Sequence, residues 1–159
     1  VYFAQMEWLQ YLATIIISFA SMEVIAWSMH KYIMHGVGWP LHRDHHEPNK
    51  KKVERNDLFL LVFAVPSWLL IMIGSMNGMI FMLSVGVGIL VYGACYFIIH
   101  EVIIHQRFSY LSQQNNFYLR AIRKAHKIHH KHLDRMDGEC FGMLIVPWKY
   151  YREALKNPS

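Results

Sequence analysis

Two long apolar stretches dominate the chain and predict helices that cross a membrane. Glu23 is the only charged residue in Trp8–Met29, and the 42 residues of Leu58–Ile99 contain no charge. As one helix, the second stretch would be roughly 63 Å long, about twice the thickness of a bilayer core. It must therefore fold back, and Ser75–Gly78 is the only turn-like cluster near its middle. The pattern predicts three spans, at Trp8–Met29, Leu58–Gly74 and Met79–Ile99.

Small residues and one proline within the spans predict how the helices pack. Pro66 should kink the second span, because proline lacks the backbone N–H that a helix requires. Gly86, Gly88 and Gly93 should allow a neighbouring helix to approach the third span closely. Together these features predict an all-α integral membrane bundle of about three to four spans, folded as a single domain over residues 1–159.

The basic residues predict the orientation of the bundle. All sixteen Lys and Arg lie in two segments, Lys31–Arg55 and Arg107–Lys156. With three spans, both segments lie on the same side of the membrane, which should be the cytoplasm. The N-terminus and the turn at Ser75–Gly78 then face the opposite side of a bacterial inner membrane. Such a basic surface fits anionic lipid headgroups and predicts no nucleic-acid partner.

Composition excludes several other classes of protein. Hydrophobic residues make up 54% of the 159 residues and charged residues only 17%, which excludes a disordered chain and is unlike a soluble globular domain. The two cysteines cannot form a disulfide framework. Histidine, in contrast, occurs eleven times, several times more often than in most chains of this size.

Ten of the eleven histidines fall into four short boxes, all predicted to lie on the cytoplasmic side as a metal-binding cap. Two boxes have the spacing HxxxxH and two have HxxHH. The boxes are His30 and His35; His42, His45 and His46; His100 and His105; and His126, His129 and His130. His132 belongs to none of them and is predicted to lie on the exposed surface.

Helix geometry determines what each spacing can do. In HxxHH the three side chains lie within an arc of about 100°, so one short helix is predicted to direct all three towards one point. In HxxxxH the two side chains are about 140° apart, and a π-bulge or a helix end is needed to bring them together. Gly36 as a C-cap, Pro40 in a first turn and Pro48 as a stop predict separate short helices around the first two boxes.

The fourth box lies on a predicted amphipathic helix. Asn115 or Asn116 is a suitable N-cap for this helix. Apolar residues between Phe117 and Ile128 alternate with Arg and Lys. This pattern predicts a helix that lies on the lipid headgroups.

The number of histidines predicts a pair of metal ions. Neutral imidazole is the commonest metal ligand in proteins and suits Fe, Zn and Cu. One tetrahedral Zn takes four ligands, so ten histidines fit two ions with about five ligands each. The segment from His100 to His105 resembles the HExxH sequence of zinc proteases, but its histidines are one residue too far apart for that site.

Polar residues near the boxes are candidates to orient the imidazole rings. A carboxylate that accepts a hydrogen bond from the outer nitrogen of a metal-bound imidazole fixes the ring and raises its basicity. The candidates by position are Glu23, Asp44, Glu47, Tyr96, Asp134 and Asp137. For each acid, a solvated loop residue or a helix-packing group is an equally good interpretation.

Several segments resemble the bacterial β-carotene 3-hydroxylase family, within the membrane di-iron superfamily of fatty-acid hydroxylases, desaturases and carotenoid oxygenases. The boxes alone indicate only the superfamily, and the residues around them carry the narrower resemblance. The segments are HKYIMHGVGW at His30–Trp39, HRDHHEP at His42–Pro48, NDLF at Asn56–Phe59, HEVIIHQRF at His100–Phe108 and HKIHH at His126–His130. The resemblance extends over most of the chain.

The resemblance implies an O2-dependent monooxygenase that hydroxylates carbon 3 of a β-ionone ring and converts β-carotene through β-cryptoxanthin to zeaxanthin. It further implies a di-iron centre, two non-haem Fe ions held by the ten boxed histidines, for which Zn can substitute in recombinant protein. The chain has no Gly-rich dinucleotide fingerprint and no cysteine set for an iron–sulfur cluster. Its electrons are therefore expected from a separate protein, an acidic ferredoxin that docks on the basic face.

Two other interpretations remain open. A fatty-acyl or sterol hydroxylase, or a carotenoid ketolase, would have the same boxes, because an apolar substrate cavity leaves no short motif. The second alternative is a non-enzymatic membrane protein that binds or transports metal ions. Transport predicts ionisable residues through the spans, and Leu58–Ile99 contains none.

Overall fold

Six α-helices account for most of the computed structural model, which describes residues 2–47, 53–107, 116–131 and 138–156, with side chains from residue 7 onwards. The helices are α1 (Tyr2–Ser28), α2 (Trp39–His46), α3 (Leu58–Met76), α4 (Ile80–Tyr96), α5 (Phe117–His129) and α6 (Trp148–Lys156). Within these residues there is no β-strand, which confirms the predicted all-α class. Pro48, Asn115 and His132 lie outside the described residues.

Three helical stretches are long and apolar enough to cross a membrane, and they match the three predicted spans. They are Glu7–Val37, Arg55–Met76 and Ile80–Ile104. All three are longer than predicted. α1 continues into the π-helical segment Met29–Val37 and α4 into the π-helical segment Phe97–Ile104, and the second stretch includes the 3-10 turn Arg55–Asp57 and ends at Met76. Ile17, Trp68 and Phe81 are mostly exposed, as expected for helix surfaces in contact with lipid.

Glycines allow the membrane helices to approach one another. A Cβ atom at Gly88 of α4 would lie 2.6 Å from Cβ of Ser18 in α1, and one at Gly86 would lie 2.8 Å from Cγ1 of Ile71 in α3. These distances confirm the packing role predicted for both glycines. At Gly93 no heavy atom of the described residues lies within 4 Å of the Cβ position. The packing role predicted for Gly93 is therefore wrong, because no helix approaches it.

Two hydroxyl groups tie α4 to its neighbours inside the bundle. Oγ of Ser67 in α3 donates a hydrogen bond to the carbonyl oxygen of Gly86 (2.8 Å), and Oγ of Ser18 in α1 donates to that of Val85 (3.0 Å). Such bonds between membrane helices contribute about 0.6 kcal/mol each. α3 runs as one helix through Pro66, and the kink predicted there stays a prediction.

α5 and α6 pack against each other and bury the apolar side of α5. Ile122 and Ala125 of α5 lie in one core cluster with Tyr150 of α6. Asn116 caps α5 as predicted, since its Oδ1 accepts a hydrogen bond from the N–H of Leu119 (2.9 Å). The prediction that the apolar face of α5 lies on lipid headgroups is wrong, because α6 and the segment before it cover that face.

Candidate metal centre

The two HxxxxH boxes lie in π-helical backbone, as their spacing predicts. His30 and His35 belong to Met29–Val37, and His100 belongs to Phe97–Ile104 with His105 directly after it. A π-helix joins residues i and i+5, and the N–H of His105 donates to the carbonyl oxygen of His100 (2.9 Å). The two rings of each box therefore lie side by side, with centroids 5.2 Å apart in the first box and 4.6 Å apart in the second.

The π-helical segment that carries the first box bends at Gly36 and ends before Gly38. Gly36 has a non-helical backbone inside the π-helical segment (φ −97°, ψ −120°), but the residue that caps the segment is Gly38, so the C-cap predicted at Gly36 is wrong. The N–H of Gly38 closes the segment by donating to the carbonyl oxygen of Ile33 (2.7 Å). Pro40 lies in the first turn of α2, as predicted.

Nine of the ten boxed histidines form two compact clusters. In each cluster, one ring nitrogen of every histidine lies within 4.8 Å of one ring nitrogen of every other. The five-histidine cluster consists of His30, His35, His42, His46 and His129, and the four-histidine cluster consists of His45, His105, His126 and His130. The tenth, His100, lies beside the four-histidine cluster, with its ring centroid 4.6 Å from that of His105 and 4.7 Å from that of His126.

Each HxxHH box is divided between the two clusters. In α2, His42 and His46 belong to the five-histidine cluster, whereas His45 belongs to the four-histidine cluster. In the box of α5, His126 and His130 belong to the four-histidine cluster, whereas His129 belongs to the five-histidine cluster. Residues i and i+4 share a helix face and residue i+3 points about 60° to one side of residue i, so one helix reaches two neighbouring points. The prediction that each box directs all three rings towards one point is therefore wrong.

The two clusters adjoin each other, and the five-histidine cluster is buried whereas the four-histidine cluster is partly buried. The rings of His46 and His130 stack across the boundary, with centroids 4.6 Å apart and 13° between their planes. His42 is 1% exposed and His129 is fully buried. Two ions bound by these clusters would therefore be close neighbours, shielded from water by the rings that hold them.

Neutral acceptors orient three rings of the five-histidine cluster. Nδ1 of His30 donates to the carbonyl oxygen of Phe141 (3.2 Å), and Nδ1 of His129 donates to that of Glu139 (2.8 Å). Nδ1 of His42 lies 2.7 Å from Oδ1 of Asn56. Because Nδ1 carries the proton in each ring, Nε2 presents a lone pair.

Carboxylates orient His45 and His100 instead. Nδ1 of His45 lies 2.8 Å from Oε2 of Glu54, and Nδ1 of His100 lies 2.7 Å from Oε1 of Glu101. The ring of Tyr96 stacks on His100, with centroids 4.8 Å apart. Burial raises the pKa of Glu54, and the nearby guanidinium of Arg107 opposes that rise. These rings are thus held by groups that can carry negative charge.

The inner nitrogens fit the requirements of a metal ion. Nε2 of His30 and Nε2 of His42 both present lone pairs and lie 3.1 Å apart. Lone pairs at this distance repel each other unless a cation binds both, and two ligands at right angles with bonds of about 2.1 Å are about 3.0 Å apart. Nε2 of His45 and Nε2 of His130 are buried without a hydrogen-bond partner among the described residues.

Burial keeps these imidazoles in the form that binds metal. It lowers the pKa of His42 to about 2, although the hydrogen bond with Asn56 acts in the opposite direction. Burial and the neighbouring histidines lower the pKa of His105 and of His129 to about 3. An imidazole in water has a pKa of about 6.5. At neutral pH these rings are therefore uncharged, with a lone pair available to an ion.

The acids predicted to orient rings make other contacts in the structure. Oδ2 of Asp44 accepts a hydrogen bond from the N–H of Arg55 (2.8 Å), and Glu47 forms an ion pair with Arg43 (2.8 Å). Glu23 accepts hydrogen bonds from the backbone of residues 143–145. Two predicted acids lie outside the described residues, Asp134 and Asp137. The role predicted for these acids stays a prediction.

Three ring partners were missed by reasoning from the sequence: Glu54, Asn56 and Glu101. Glu101 directly follows His100, and that adjacency was a usable signal. Asn56 begins the NDLF segment, but nothing in its position indicates a bond to His42, fourteen residues earlier. Glu54 is the N-cap of the short 3-10 turn Arg55–Asp57, which packs against α2 and holds Glu54 beside His45.

An apolar cavity of about 300 Å³ lies between α1, α3 and α4, next to the residues that orient the rings. Its apolar wall includes Met22, Ala26, Met29, Met34, Phe59, Leu60, Phe63, Ile89, Gly93, Phe97 and Met143. Its polar wall consists of Asn56, Asp57, Tyr92, Tyr96, Glu101 and Arg107. Gly93 therefore faces the cavity, which explains the open space around its Cβ position.

Comparisons with known proteins agree on one family. Residues 15–151 match the family described as Fatty acid hydroxylase. A beta-carotene hydroxylase of Pantoea ananas is 40% identical over 142 residues, which cover 89% of this chain and 81% of that protein. A beta-carotene hydroxylase of Pseudescherichia vulneris is 39% identical over 132 residues, which cover 83% of this chain and 74% of that protein.

More distant similarity extends to plants. The chloroplastic beta-carotene 3-hydroxylase 2 of Arabidopsis thaliana is 33% identical over 131 residues, which cover 79% of this chain and 42% of that protein. No solved structure matches the chain.

Proposed function

The chain belongs to the fatty acid hydroxylase family, and we propose that it is a β-carotene 3-hydroxylase. It adds a hydroxyl group to carbon 3 of each β-ionone ring, giving β-cryptoxanthin and then zeaxanthin. The observation that carries the proposal is a buried cluster of five histidines that adjoins a partly buried cluster of four, beside an apolar cavity in a membrane bundle. The two beta-carotene hydroxylases at 39% and 40% identity support the choice of substrate.

Each histidine cluster holds one iron ion in this proposal. A pair of reduced irons supplies the activation of O2 that hydroxylation of a C–H bond requires. The imidazoles offer Nε2 lone pairs, their outer hydrogen bonds fix the rings, and burial keeps bulk water away. His100 completes the four-histidine site. The same donors suit Zn, so recombinant protein can carry Zn in place of iron.

The cavity receives one ring of the carotenoid from the lipid. A hydrocarbon offers no polar group for recognition, so its binding depends on apolar surface and shape. Met22, Phe63 and Ile89 supply such surface. At the polar wall, Asn56 and Glu101 contact His42 and His100, so a ring that fills the cavity reaches the layer of residues around the metal centre.

Basic residues support a cytoplasmic active site and an acidic electron donor. Hydroxylation consumes one C–H bond, one O2, two electrons and two protons, and gives one C–OH and one water. The electrons come from a ferredoxin-type protein. Lys124 and Lys127 are exposed on α5, the helix that also carries the fourth histidine box. An acidic donor that binds these lysines would dock beside His126, which lies between them in the sequence.

Replacing Gly93 with leucine tests the function and the cavity together. Purified, iron-loaded protein is supplied with β-carotene, O2 and a reduced ferredoxin, and the pigments are separated by chromatography. The wild-type chain is expected to form β-cryptoxanthin and zeaxanthin. G93L should form less product by about 10-fold or more with unchanged iron content, because the new side chain occupies space that the ring needs. Leu90→Trp is the control, because Leu90 lies on the lipid-exposed side of α4.

Each contrary result identifies a different error. A wild-type chain that forms a ketone would be a ketolase, and one that leaves β-carotene unchanged would act on another lipid or on none. G93L with wild-type turnover would contradict the cavity as the ring site, while the product formed would still identify the reaction.

A further inference from the structure

Arg107 lies at the centre of three carboxylates next to the four-histidine cluster. Its Nη2 is 2.8 Å from Glu54, its Nη1 is 2.9 Å from Asp57 and its Nε is 2.7 Å from Glu101. Each nitrogen of the guanidinium therefore contacts a different acid. The Arg107 side chain is only 13% exposed, so these ion pairs are largely shielded from water.

The backbone bends sharply to place Arg107 there. Gln106 has a φ of 53°, in the left-handed region that costs a residue other than glycine about 1 kcal/mol or more. The bend allows the N–H of Arg107 to donate to the carbonyl oxygen of Glu101 (3.0 Å). The guanidinium of Arg107 therefore lies beside Glu101, within the third histidine box.

Two of the three carboxylates are the groups that orient His45 and His100. Arg107 is therefore separated from each of these rings by a single side chain. His30, His129 and His42 of the five-histidine cluster are held differently, because their outer partners are two carbonyl oxygens and an amide. The orientation of His45 and His100 therefore depends on carboxylates, whereas the orientation of these three rings does not.

We propose that Arg107 is a positioning residue for the metal ion of the four-histidine cluster and acts through Glu54 and Glu101. This inference rests on the proposed binding of one ion by each cluster. Carboxylates in a shielded group repel one another, and a neutral residue at 107 would leave them without a counter-charge. The planar guanidinium fixes the directions of all three contacts in one rigid fork, whereas an ammonium group is a point charge with rotatable donors.

Zinc binding by the full chain in detergent provides a test that does not depend on turnover. The wild-type chain is expected to bind two Zn²⁺ tightly. R107Q should keep one tight ion and bind the other about 10- to 100-fold more weakly. R107K should bind this second ion with an affinity between those of the wild-type chain and R107Q. R43Q is the matched control, because Arg43 forms an exposed ion pair with Glu47 on α2.

Double variants identify the ion that is affected. R107Q combined with H45A should still bind one ion tightly, because both changes act on the four-histidine cluster. R107Q combined with H42A should bind none tightly, because each change acts on a different cluster.

The proposal is overturned if R107Q binds two ions with wild-type affinity, or if it loses its remaining ion with H45A and keeps it with H42A. If R107Q binds no ion, the result for R107K is decisive. Weaker binding of one ion by R107K supports the proposal. Weaker binding of both ions, or of neither, overturns it. A wild-type chain that binds fewer than two ions would instead contradict the two-ion centre itself.

Discussion

Replacing His45 with alanine is expected to abolish hydroxylation and to lower the bound iron from two ions per chain to one. Nδ1 of His45 is anchored by Glu54, and its buried Nε2 has no hydrogen-bond partner among the described residues. Loss of a residue that merely orients a ligand costs about 10- to 100-fold in affinity or activity, and loss of the ligand itself should cost more than 100-fold. Pigment chromatography and elemental analysis of the same sample measure both effects.

Arg43→Ala is the matched control for His45→Ala. Arg43 lies on α2 two residues before His45, and its side chain is 63% exposed. This variant should keep wild-type activity and both ions. The bundle should also remain folded in His45→Ala, because the backbone hydrogen bonds of the spans do not involve this ring. Retention of activity and both ions by a monodisperse His45→Ala protein would contradict the assignment of His45 as a ligand.

Replacing Glu23 with alanine is expected to lower the melting temperature by about 10 °C or more. The N–H groups of Met143 (3.0 Å), Leu144 (3.1 Å) and Ile145 (3.0 Å) donate to its carboxylate, as does the hydroxyl of Tyr92 (2.7 Å). Each bond to a charged group contributes about 1.5–3 kcal/mol, and 1 kcal/mol corresponds to about 2–4 °C in a chain of this size.

The Glu23 variant is compared with Glu7→Ala by thermal unfolding in detergent, followed by tryptophan fluorescence. Glu7 lies on the same helix and is exposed, so its removal should change the melting temperature by less than about 2 °C. The segment held by Glu23 follows Phe141, whose carbonyl oxygen orients His30, so weaker iron binding should accompany the lower melting temperature. A melting temperature unchanged from wild type would show that other contacts hold residues 143–145.

Periodicity and spacing predicted the spans and the π-helical boxes because both are local properties. An uncharged stretch of 42 residues in so short a chain has few alternatives to a membrane hairpin. The HxxxxH spacing predicted a departure from α-helical geometry, which the i to i+5 hydrogen bond at His105 confirms. The Asn116 cap was predictable for the same reason, since it concerns a single helix terminus.

The division of histidines between clusters was not predictable in this way. Helix geometry places His42, His45 and His46 within one arc, as predicted. The histidines of other segments determine which of the two clusters each of these rings joins. His129 of α5 meets His35 of the first box, 94 residues earlier, with Nε2 atoms 3.3 Å apart. Such contacts depend on tertiary packing, which spacing within one helix does not contain.

The groups that hold the rings were missed for a related reason. A backbone carbonyl such as that of Phe141 has no signature in the sequence, and it lies 111 residues from His30. Closeness to a box in the sequence favours Asp44 and Glu47 over Glu54 as ring partners. Gly93 shows the same limit, because a glycine that faces a cavity and a glycine that packs against a helix look alike in the sequence.

The count of iron ions per chain tests the central claim most directly. Protein reconstituted with Fe²⁺ without oxygen, washed free of weakly bound metal and shown to be monodisperse should contain two iron ions per chain by elemental analysis. This follows from two separate clusters whose inner nitrogens converge within 4.8 Å. A saturated preparation with one iron or none would contradict the account, because one of the two clusters would then serve packing rather than metal binding.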